Sequence, residues 1–262
     1  MRINNFPLVS VIMNCHNGEK YLRNSLESLF SQTYKNWELI FFDNYSQDKS
    51  KKILKSYKDK RIKFFSTKRK LNLYHARNLA IKKAKGKYIS FLDVDDLFEK
   101  DKLKLQINFL QKNNEFKIVY SNYIVLNENS KKKYIRFSKK LGSGFITQSL
   151  LNNYTLGILT ILLEKKIIQK KFFNKNYNII GDFDCFLKLS LKNKIAYMTK
   201  PLSVYRIHKN NYSTKNLKEY VVELENWIKK NVFTFKDFTF FHLRYYLLKL
   251  RIKLFLRSLL GV

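Results

Sequence analysis

Residues Lys87 to Asp96 read KYISFLDVDD, an apolar run followed by an acidic cluster. Residues 88–92 form a short apolar run typical of a buried strand. The run ends in the carboxylates of Asp93, Asp95 and Asp96. Because charges at the end of an apolar strand are costly without a counter-charge, the pattern predicts a cation there. A divalent ion that also binds nucleotide phosphates would compensate these negative charges. An Asp-rich turn without a ligand is the alternative.

The residues around this stretch alternate between strand and helix patterns. The predicted strands are 8–13, 37–42, 61–65 and 88–92, and the predicted helices are 19–32, 49–57 and 75–84. Gly86 is expected to stop the third helix. This alternation predicts an α/β fold with a mostly parallel sheet between helices. Ligands bind at the carboxyl ends of such strands, where Asn14, Asp43 and Asp93 fall. In an extended chain, Asp93 and Asp95 would also face the same side.

The second half of the chain is less regular. Strands are predicted at 117–125 and 196–199, and helices at 100–113, 146–153, 164–171, 181–192 and 217–230. Residues 127–144 are polar and lysine-rich, which predicts a mobile loop. Asp182 and Asp184 lie in the first turn of a predicted helix, where carboxylates favour the helix dipole. For Asp182, a capping role and a catalytic role both remain open.

The last fifty residues are basic and aromatic. On a helix over residues 238–260, Lys249, Lys253 and Arg257 share one side, whereas Arg244 and Arg251 fall opposite. A helix lying on an anionic membrane and a helix packed on a partner are both compatible with this pattern. We divide the chain into a domain of residues 1–212 and a basic helical extension of residues 213–262.

Charge and cysteine content restrict the classes of partner and compartment. The chain has 52 Lys and Arg against 20 Asp and Glu, a formal charge of +32. This predicts an anionic partner: nucleic acid, anionic lipid or a phosphorylated substrate. Cys15 and Cys185 are far apart in apolar surroundings, which indicates buried thiols in a reducing compartment. We expect neither a signal peptide nor a transmembrane helix, because no apolar run is long enough.

Two function classes share part of these features. A nucleic-acid-binding module would explain the charge, but the sequence shows no aromatic-basic recognition motif or zinc spacing, and the carboxylates would repel phosphates. A phosphatase of haloacid-dehalogenase type also has an Asp pair after an apolar strand. That family places the pair after its first strand, whereas here it follows the fourth.

Several ordered motifs resemble glycosyltransferase family 2. They are residues 9–48 (VSVIMNCHNGEKYLRNSLESLFSQTYKNWELIFFDNYSQD), residues 76–96 (ARNLAIKKAKGKYISFLDVDD), GDFDCFLKLS from Gly181 and VYRIH from Val204. The resemblance covers roughly residues 8–212 and is strongest to bacterial enzymes that build lipopolysaccharide, capsule or related surface glycans. It implies the GT-A fold, an α/β fold that binds nucleotide sugars, and transfer with inversion at the anomeric carbon.

The resemblance also implies roles for individual residues. Asp43 matches the residue that contacts the uracil ring, and Asn14 and Asn17 lie in the turn that lines the nucleotide pocket. Arg77 matches an arginine near the diphosphate. Asp93 and Asp95 match the DxD motif, with Asp93 at the ribose and Asp95 on Mg²⁺ or Mn²⁺. His208 matches a histidine that completes the metal site in several members.

Asp182 matches the general base of the family, the second residue of a Glu-Asp pair. Gly181 stands here in place of the glutamate, and Asp184 is a rival for the base. The resemblance further implies a UDP-sugar donor, with hexosyl or N-acetylhexosaminyl transfer to a glycan or lipid-linked acceptor. It implies a peripheral location on the cytoplasmic face of the membrane.

Overall fold

The structure, a computed structural model, describes residues 6–169 and 172–259. In chain order the strands are β1 Val9–Cys15, β2 Trp37–Asp43, β3 Ile62–Ser66, β4 Tyr88–Phe91, β5 Leu97–Phe98, β6 Ile118–Asn127, β7 Lys133–Ile135, β8 Leu162–Glu164 and β9 Ile195–Ile207. The α-helices are α1 Glu19–Phe30, α2 Ser50–Lys55, α3 Leu73–Lys83, α4 Lys102–Lys112, α5 Thr147–Asn152, α6 Gly181–Ser190, α7 Tyr212–Lys215, α8 Leu217–Asn231 and α9 Phe241–Leu259.

Within the described residues the strands form one sheet in the order β3-β2-β1-β4-β8-β6-β9-β5, with β7 paired to β6. The first four strands are mutually parallel, as the strand-helix alternation predicts. Strand β8 runs antiparallel between β4 and β6, whereas β6 and β9 form a long parallel ladder. The predicted α/β fold with a mostly parallel sheet is confirmed, and β8 is the antiparallel insertion that joins its two halves.

Three predictions for the second half were wrong. The segment predicted as helix 164–171 has Glu164 at the end of β8 and a 3-10 turn at Lys165–Ile167. Its first residue is extended because β8 pairs antiparallel with β4, where Glu164 is opposite Tyr88. Lys170 and Lys171 lie outside the described residues. The predicted loop 127–144 contains β7, which pairs with β6. The strand predicted at 196–199 extends through Pro201, because the β6–β9 register shifts there and a bulge accommodates proline.

Gly86 does not stop α3. The helix ends at Lys83, and Ala84 is already extended. A Cβ at residue 86 would lie 2.5 Å from the Ser10 backbone nitrogen, and the Gly86 N–H donates to Ser10 Oγ at 2.8 Å. The prediction was wrong because this glycine is required by the close approach of two neighbouring chain segments at the sheet.

Helices cover both faces of the sheet and create two apolar cores. One core lies under α1 and α4, and the other lies under α3, α5 and α6. Helices α8 and α9 contribute to the second core, where Trp227 and Leu247 belong to the same cluster as Phe91 of the sheet. Cys15 and Cys185 are free and buried, one in each core, as predicted.

Candidate active site

The polar residues predicted at the carboxyl ends of the strands meet at one edge of the sheet. In the β1–β2 ladder, Cys15 is opposite Asp43, so Asn14 and Asp43 end neighbouring strands. Strand β4 lies on the other side of β1 and leads directly into Asp93. Parallel pairing is the reason, because it brings equivalent ends of β2, β1 and β4 to the same edge.

Asn14 is the clearest sign of a ligand at this edge. Its side chain is buried, and neither Oδ1 nor Nδ2 has a hydrogen-bond partner among the residues that the structure describes. Leaving a buried donor or acceptor unpaired costs about 1–3 kcal/mol. A ligand that supplied the missing partner would remove this cost. Asn14 was predicted in the nucleotide pocket, and its surroundings suit that role.

Asp43 is fully buried, and its polar contacts with the described part of the chain are long. The Ser46 N–H lies 3.4 Å and 3.3 Å from its two oxygens, and Lys51 Nζ lies 3.4 Å from Oδ2. Good N–H···O bonds are shorter, near 2.9 Å, so the carboxylate retains accepting capacity. A nucleobase N–H is the kind of donor that would use it.

Asn17 shapes the wall of this pocket. Its φ of 54° is left-handed, a conformation that asparagine tolerates better than most residues. The side-chain Oδ1 accepts from the Gln47 N–H at 2.9 Å, and its own N–H donates to Ser46 Oγ at 3.0 Å. Asn17 therefore ties the turn after β1 to the turn after β2, with its side-chain oxygen already engaged.

The three carboxylates after β4 lie in a turn, so the extended geometry that would point Asp93 and Asp95 to one side does not occur. The Asp96 N–H donates to the Asp93 carbonyl at 3.1 Å. Asp93 accepts two bonds from Arg77 Nη2, at 2.6 and 2.8 Å. Arg77 is buried, so it is not a surface helix charge. Part of the counter-charge predicted from the sequence therefore comes from the protein itself.

Asp95 faces His208. Its Oδ2 lies 3.0 Å from His208 Nε2, and the Asp95 backbone carbonyl accepts from Arg206 Nε at 2.9 Å. Burial, and next the charge of Asp93, raise the pKa of Asp95. The carboxylate thus lies where additional positive charge would be favourable.

The fit of a divalent cation rests on the chemistry of these donors. No group of three or more His, Cys, Asp or Glu side chains is arranged to hold a metal within residues 6–169 and 172–259. A carboxylate oxygen and an imidazole nitrogen in contact can supply two ligands, and phosphate oxygens and water can complete the shell. Asp95 and His208 therefore fit Mg²⁺ or Mn²⁺ as partial ligands of a substrate-completed site.

Asp96 has a different environment. It is buried and accepts from the Arg206 N–H at 3.0 Å. Burial, and next the negative charge of Asp95, raise its pKa well above the usual range. These contacts give Asp96 a structural role, in which it ties the DVDD turn to β9.

Asp182 lies in the first turn of α6, as predicted. Its Oδ1 accepts from the Phe183 N–H at 2.9 Å and lies 3.1 Å from the Tyr74 hydroxyl. Burial raises the pKa of Asp182, while Arg77, the Phe183 N–H and the Tyr74 hydroxyl partly offset that effect. A carboxylate with a raised pKa is better suited to accept a proton.

Asp184 is held by structural partners. Its Oδ1 accepts from Trp227 Nε1 at 2.8 Å and pairs with Lys188 Nζ at 2.6 Å. The side chain is buried, and its Trp227 partner lies on α8. Of the two rivals, Asp182 has the environment of a base.

Gly181 is explained by Tyr74. A Cβ at residue 181 would lie 2.5 Å from the Tyr74 ring, so no larger side chain fits beside it. The Tyr74 hydroxyl lies 2.6 Å from the Ile179 carbonyl as well as near Asp182. An aromatic ring from α3 therefore fills the space next to Asp182.

Sequence reasoning missed Tyr74 and Arg206. Tyr74 precedes Arg77 by three positions, so both lie on one face of α3, and helical spacing could have revealed it. Arg206 lies within the VYRIH motif next to His208, and its guanidinium lies 4.9 Å over the Tyr21 ring. It gave no independent sequence signal beyond that position.

The sequence profile of Glycosyl transferase family 2 matches residues 10–184. A Haemophilus influenzae protein described as an uncharacterized glycosyltransferase is 36% identical over 214 residues, covering 80% of this chain and 83% of that one. The Escherichia coli UDP-Glc:alpha-D-GlcNAc-diphosphoundecaprenol beta-1,3-glucosyltransferase WfgD is 32% identical over 209 residues, covering 79% of each chain.

Solved structures show the same fold at lower identity. Staphylococcus aureus TarS 1-349 in complex with UDP-GlcNAc has a TM-score of 0.68 at 18% identity, covering 84% of this chain and 66% of that one. The mannosyltransferase PcManGT from Pyrobaculum calidifontis, in complex with GDP-Man and Mn²⁺, has a TM-score of 0.63 at 14% identity, covering 86% and 64%. This chain thus spans slightly less than two thirds of either structure.

These likenesses confirm the predicted GT-A fold. The profile spans more than half of the chain, and relatives above 30% identity cover most of it. This chain therefore belongs to glycosyltransferase family 2.

Proposed function

We propose that this enzyme transfers a hexosyl or N-acetylhexosaminyl group, with inversion, from a UDP-sugar to a lipid-linked saccharide used in surface polysaccharide synthesis. The observation that carries the proposal is Asn14, a buried amide without a hydrogen-bond partner in residues 6–169 and 172–259, at the edge shared by Asp43 and Asp93. The membership in family 2 supports a glycosyltransferase over the nucleic-acid-binding and phosphatase alternatives.

Donor binding is assigned to the edge formed by β1, β2 and β4. Asp43 would accept the uracil N–H with its under-used oxygens, and Asn14 would hydrogen-bond the nucleotide. Arg77 would hold Asp93 in place for the ribose while its buried charge favours the diphosphate. The printed name of WfgD includes UDP-Glc, and the TarS structure contains UDP-GlcNAc, which supports UDP as the nucleotide.

Catalysis is assigned to Asp182. The acceptor hydroxyl would attack the anomeric carbon, the glycosyl–phosphate bond would break, and Asp182 would take the hydroxyl proton. General-base assistance of this kind contributes about 10²–10⁴-fold. A divalent cation bound at Asp95 and His208 would neutralise charge on the leaving diphosphate. Arg77 would add fixed positive charge beside the same phosphates.

The acceptor and location follow from the relatives and the charge. WfgD is named for a diphosphoundecaprenol-linked acceptor, which supports a lipid-linked saccharide for this chain. An excess of 32 positive charges favours an anionic surface. We therefore place the enzyme on the cytoplasmic face of the membrane.

A thermal-shift screen tests the donor assignment. UDP-, GDP- and dTDP-sugars are added with and without Mn²⁺, since a ligand that binds only the folded state raises the unfolding temperature. We expect stabilisation by UDP-sugars that increases with Mn²⁺ and is reduced in Asn14→Ala. An equal response to all three nucleotides, or an unaltered response in Asn14→Ala, would contradict the assignment.

A further inference from the structure

Helix α9 has two apolar faces. Its inner face packs into the core through Leu243, Leu247 and Leu250, which are all buried. A second set of apolar side chains on the same helix is between 51% and 72% exposed: Phe241, Tyr245, Leu248, Ile252, Phe255, Leu256 and Leu259. We call this set the outer stripe. A globular helix ordinarily has one apolar face, so the outer stripe needs an explanation.

The outer stripe is continuous. At 3.6 residues per turn, its seven members fall within about 100° of one another on the helix. The helix spans 19 residues, which corresponds to about 28 Å. The mixed pattern of residues 238–260 therefore results from two apolar stripes on nearly opposite sides.

Basic side chains flank the outer stripe on both sides. Arg244 and Arg251 lie along one flank, and Lys249 and Lys253 lie along the other, all exposed to solvent. No Asp or Glu occurs between Phe241 and Leu259. Arg251 pairs with Glu225 at 2.6 Å. Arg244 also borders an open hollow of about 510 Å³ whose other lining residues are aromatic or leucine.

We propose that the outer stripe of α9 is a docking surface for an anionic lipid bilayer, with the helix lying in the plane of the interface. Apolar residues would enter the acyl region, while the flanking Arg and Lys side chains would reach the phosphates. Within the described residues, no helix is both long and apolar enough to cross a membrane. The proposal adds a defined surface to the proposed function and rests on it for the lipid-linked acceptor.

Charge disfavours a second copy of this chain as the occupant. Two outer stripes in contact would bring two sets of flanking cations together without carboxylates from α9 to compensate them. Like charges brought close together in this way are repulsive. A bilayer containing anionic lipid supplies both an apolar interior and the compensating charge.

The docking surface is joined to the proposed base through α8. The Glu223 carboxylate accepts from the N–H groups of Asn178, Ile179 and Ile180, just before Asp182. Glu223 lies on α8, which packs against α9. A bilayer bound at the outer stripe would therefore be connected to the segment before Asp182 through α9 and α8.

Vesicle flotation tests the surface. The full chain is mixed with vesicles of phosphatidylcholine alone, or with about 30% phosphatidylglycerol, at about 0.15 M salt. We expect binding to the anionic vesicles, and at least a tenfold loss in Ile252→Ser/Phe255→Ser. We also expect Lys249→Glu/Lys253→Glu to lower binding to anionic vesicles and to weaken its dependence on salt.

The matched control is Phe64→Ser/Ile135→Ser, which removes the same two residue types from exposed positions outside α9. This control should bind vesicles like the wild type. Wild-type affinity in Ile252→Ser/Phe255→Ser, no binding of the wild type to either vesicle, or a dimer that this variant dissociates would each overturn the proposal.

UDP-dependent thermal stabilisation is measured on every variant. It should remain in Ile252→Ser/Phe255→Ser, which also shows that the variant is folded. Loss of vesicle binding with UDP stabilisation retained supports the docking surface. Vesicle binding without any UDP response would instead refute the proposed donor and leave the docking surface standing.

Discussion

Three neighbouring carboxylates acquire different roles because each meets a different partner. Asp93 pairs with Arg77, Asp95 faces His208, and Asp96 accepts from the backbone of Arg206. In the sequence the three are equivalent members of an acidic turn. The distinction comes from α3 and β9, which deliver their side chains from distant parts of the chain.

Asp95→Ala should lower kcat by about 10²-fold or more. The substitution removes the carboxylate that would bind the divalent cation, and that cation would neutralise the leaving diphosphate. Initial rates over a range of Mn²⁺ concentrations measure the loss. Asp96→Asn is the contrast, since the amide oxygen can still accept from Arg206, and we expect a far smaller loss. Metal-dependent turnover at the wild-type rate in Asp95→Ala would remove Asp95 from the metal site.

Asp182→Asn should lower kcat by about 10²–10⁴-fold while leaving UDP-sugar binding nearly unchanged, because the amide cannot accept the acceptor proton. Single-turnover rates and calorimetric titration with the donor separate the two effects. Asp184→Ala should instead lower thermal stability, because Trp227 Nε1 and Lys188 lose their partner. Normal turnover in Asp182→Asn would exclude it as the base.

Tyr74→Phe should move the acidic limb of the kcat profile to higher pH. The phenol has one proton and lies near two acceptors, the Ile179 carbonyl and the Asp182 carboxylate. Its hydrogen bond lowers the pKa of Asp182, as do Arg77 and the Phe183 N–H, whereas burial raises it. Removing the hydroxyl should therefore raise that pKa further, and more of the base is protonated at a given acidic pH.

Tyr120→Phe is the matched control for Tyr74→Phe. It removes a hydroxyl from a buried ring in the same core, one that lies 3.4 Å from Thr155 Oγ1. Its pH profile should keep the wild-type position. An equal loss of kcat at every pH in Tyr74→Phe would contradict the prediction. It would mean that the hydroxyl supports packing and does not set the pKa of Asp182.

At the scale of elements, β4 and α4 share a buried lysine that the proposed reaction does not use. Lys102 Nζ donates to Gln106 Oε1 at 2.6 Å, to Ser90 Oγ at 3.1 Å and to the Ile161 carbonyl at 3.4 Å, and all three acceptors are uncharged. Burial lowers its pKa well below the usual value. Burial therefore makes the charged ammonium of Lys102 less favourable in the folded state than in the unfolded chain.

Lys102→Met should change how stability depends on pH. The relevant pH window runs from the lowered pKa of Lys102 in the folded state up to its unfolded value near 10.4. Within this window Lys102 of the wild type carries a proton in the unfolded chain but not in the folded chain. Wild-type stability should rise with pH over that window by about 1.4 kcal/mol per pH unit from this group. Urea unfolding from pH 7 to 10 measures it, and identical slopes in Lys102→Met and wild type would contradict the prediction.

At the scale of the whole molecule, the C-terminal helices contribute to the core of the sheet domain. Phe240, Leu243, Leu247 and Leu250 belong to the same buried cluster as Ile12 and Phe91. Gln148 of α5 and Thr239 exchange two hydrogen bonds, at 3.0 and 2.9 Å, just before α9 begins. The inner face of α9 is thus part of the fold, while its outer stripe is available for docking.

Deleting residues 236–262 should therefore destabilise the protein as well as remove it from vesicles. Four core side chains are lost, each worth about 1.5–3 kcal/mol, which together rival the ~5–15 kcal/mol stability of a typical domain. Thermal unfolding and solubility measure the effect. A truncated chain that unfolds at the wild-type temperature would show that α9 contributes nothing to the core.

The sequence by itself determined the features that local pattern encodes. Apolar runs of strand length, apolar residues at helical spacing and polar residues at strand ends predicted the α/β fold and the edge where Asn14, Asp43 and Asp93 meet. The ordered motifs indicated membership in glycosyltransferase family 2. These features depend on residues close in the chain, whose burial and turn chemistry are periodic, so they can be derived without coordinates.

Only the tertiary structure decided which distant residues became partners. It placed Tyr74 beside Gly181, Trp227 on Asp184 and Arg77 on Asp93. It inserted β8 antiparallel to β4 and divided α9 into an inner and an outer face. Such contacts join segments that are far apart in the chain, and the free energy that selects them comes from packing of the whole core, which no local pattern records.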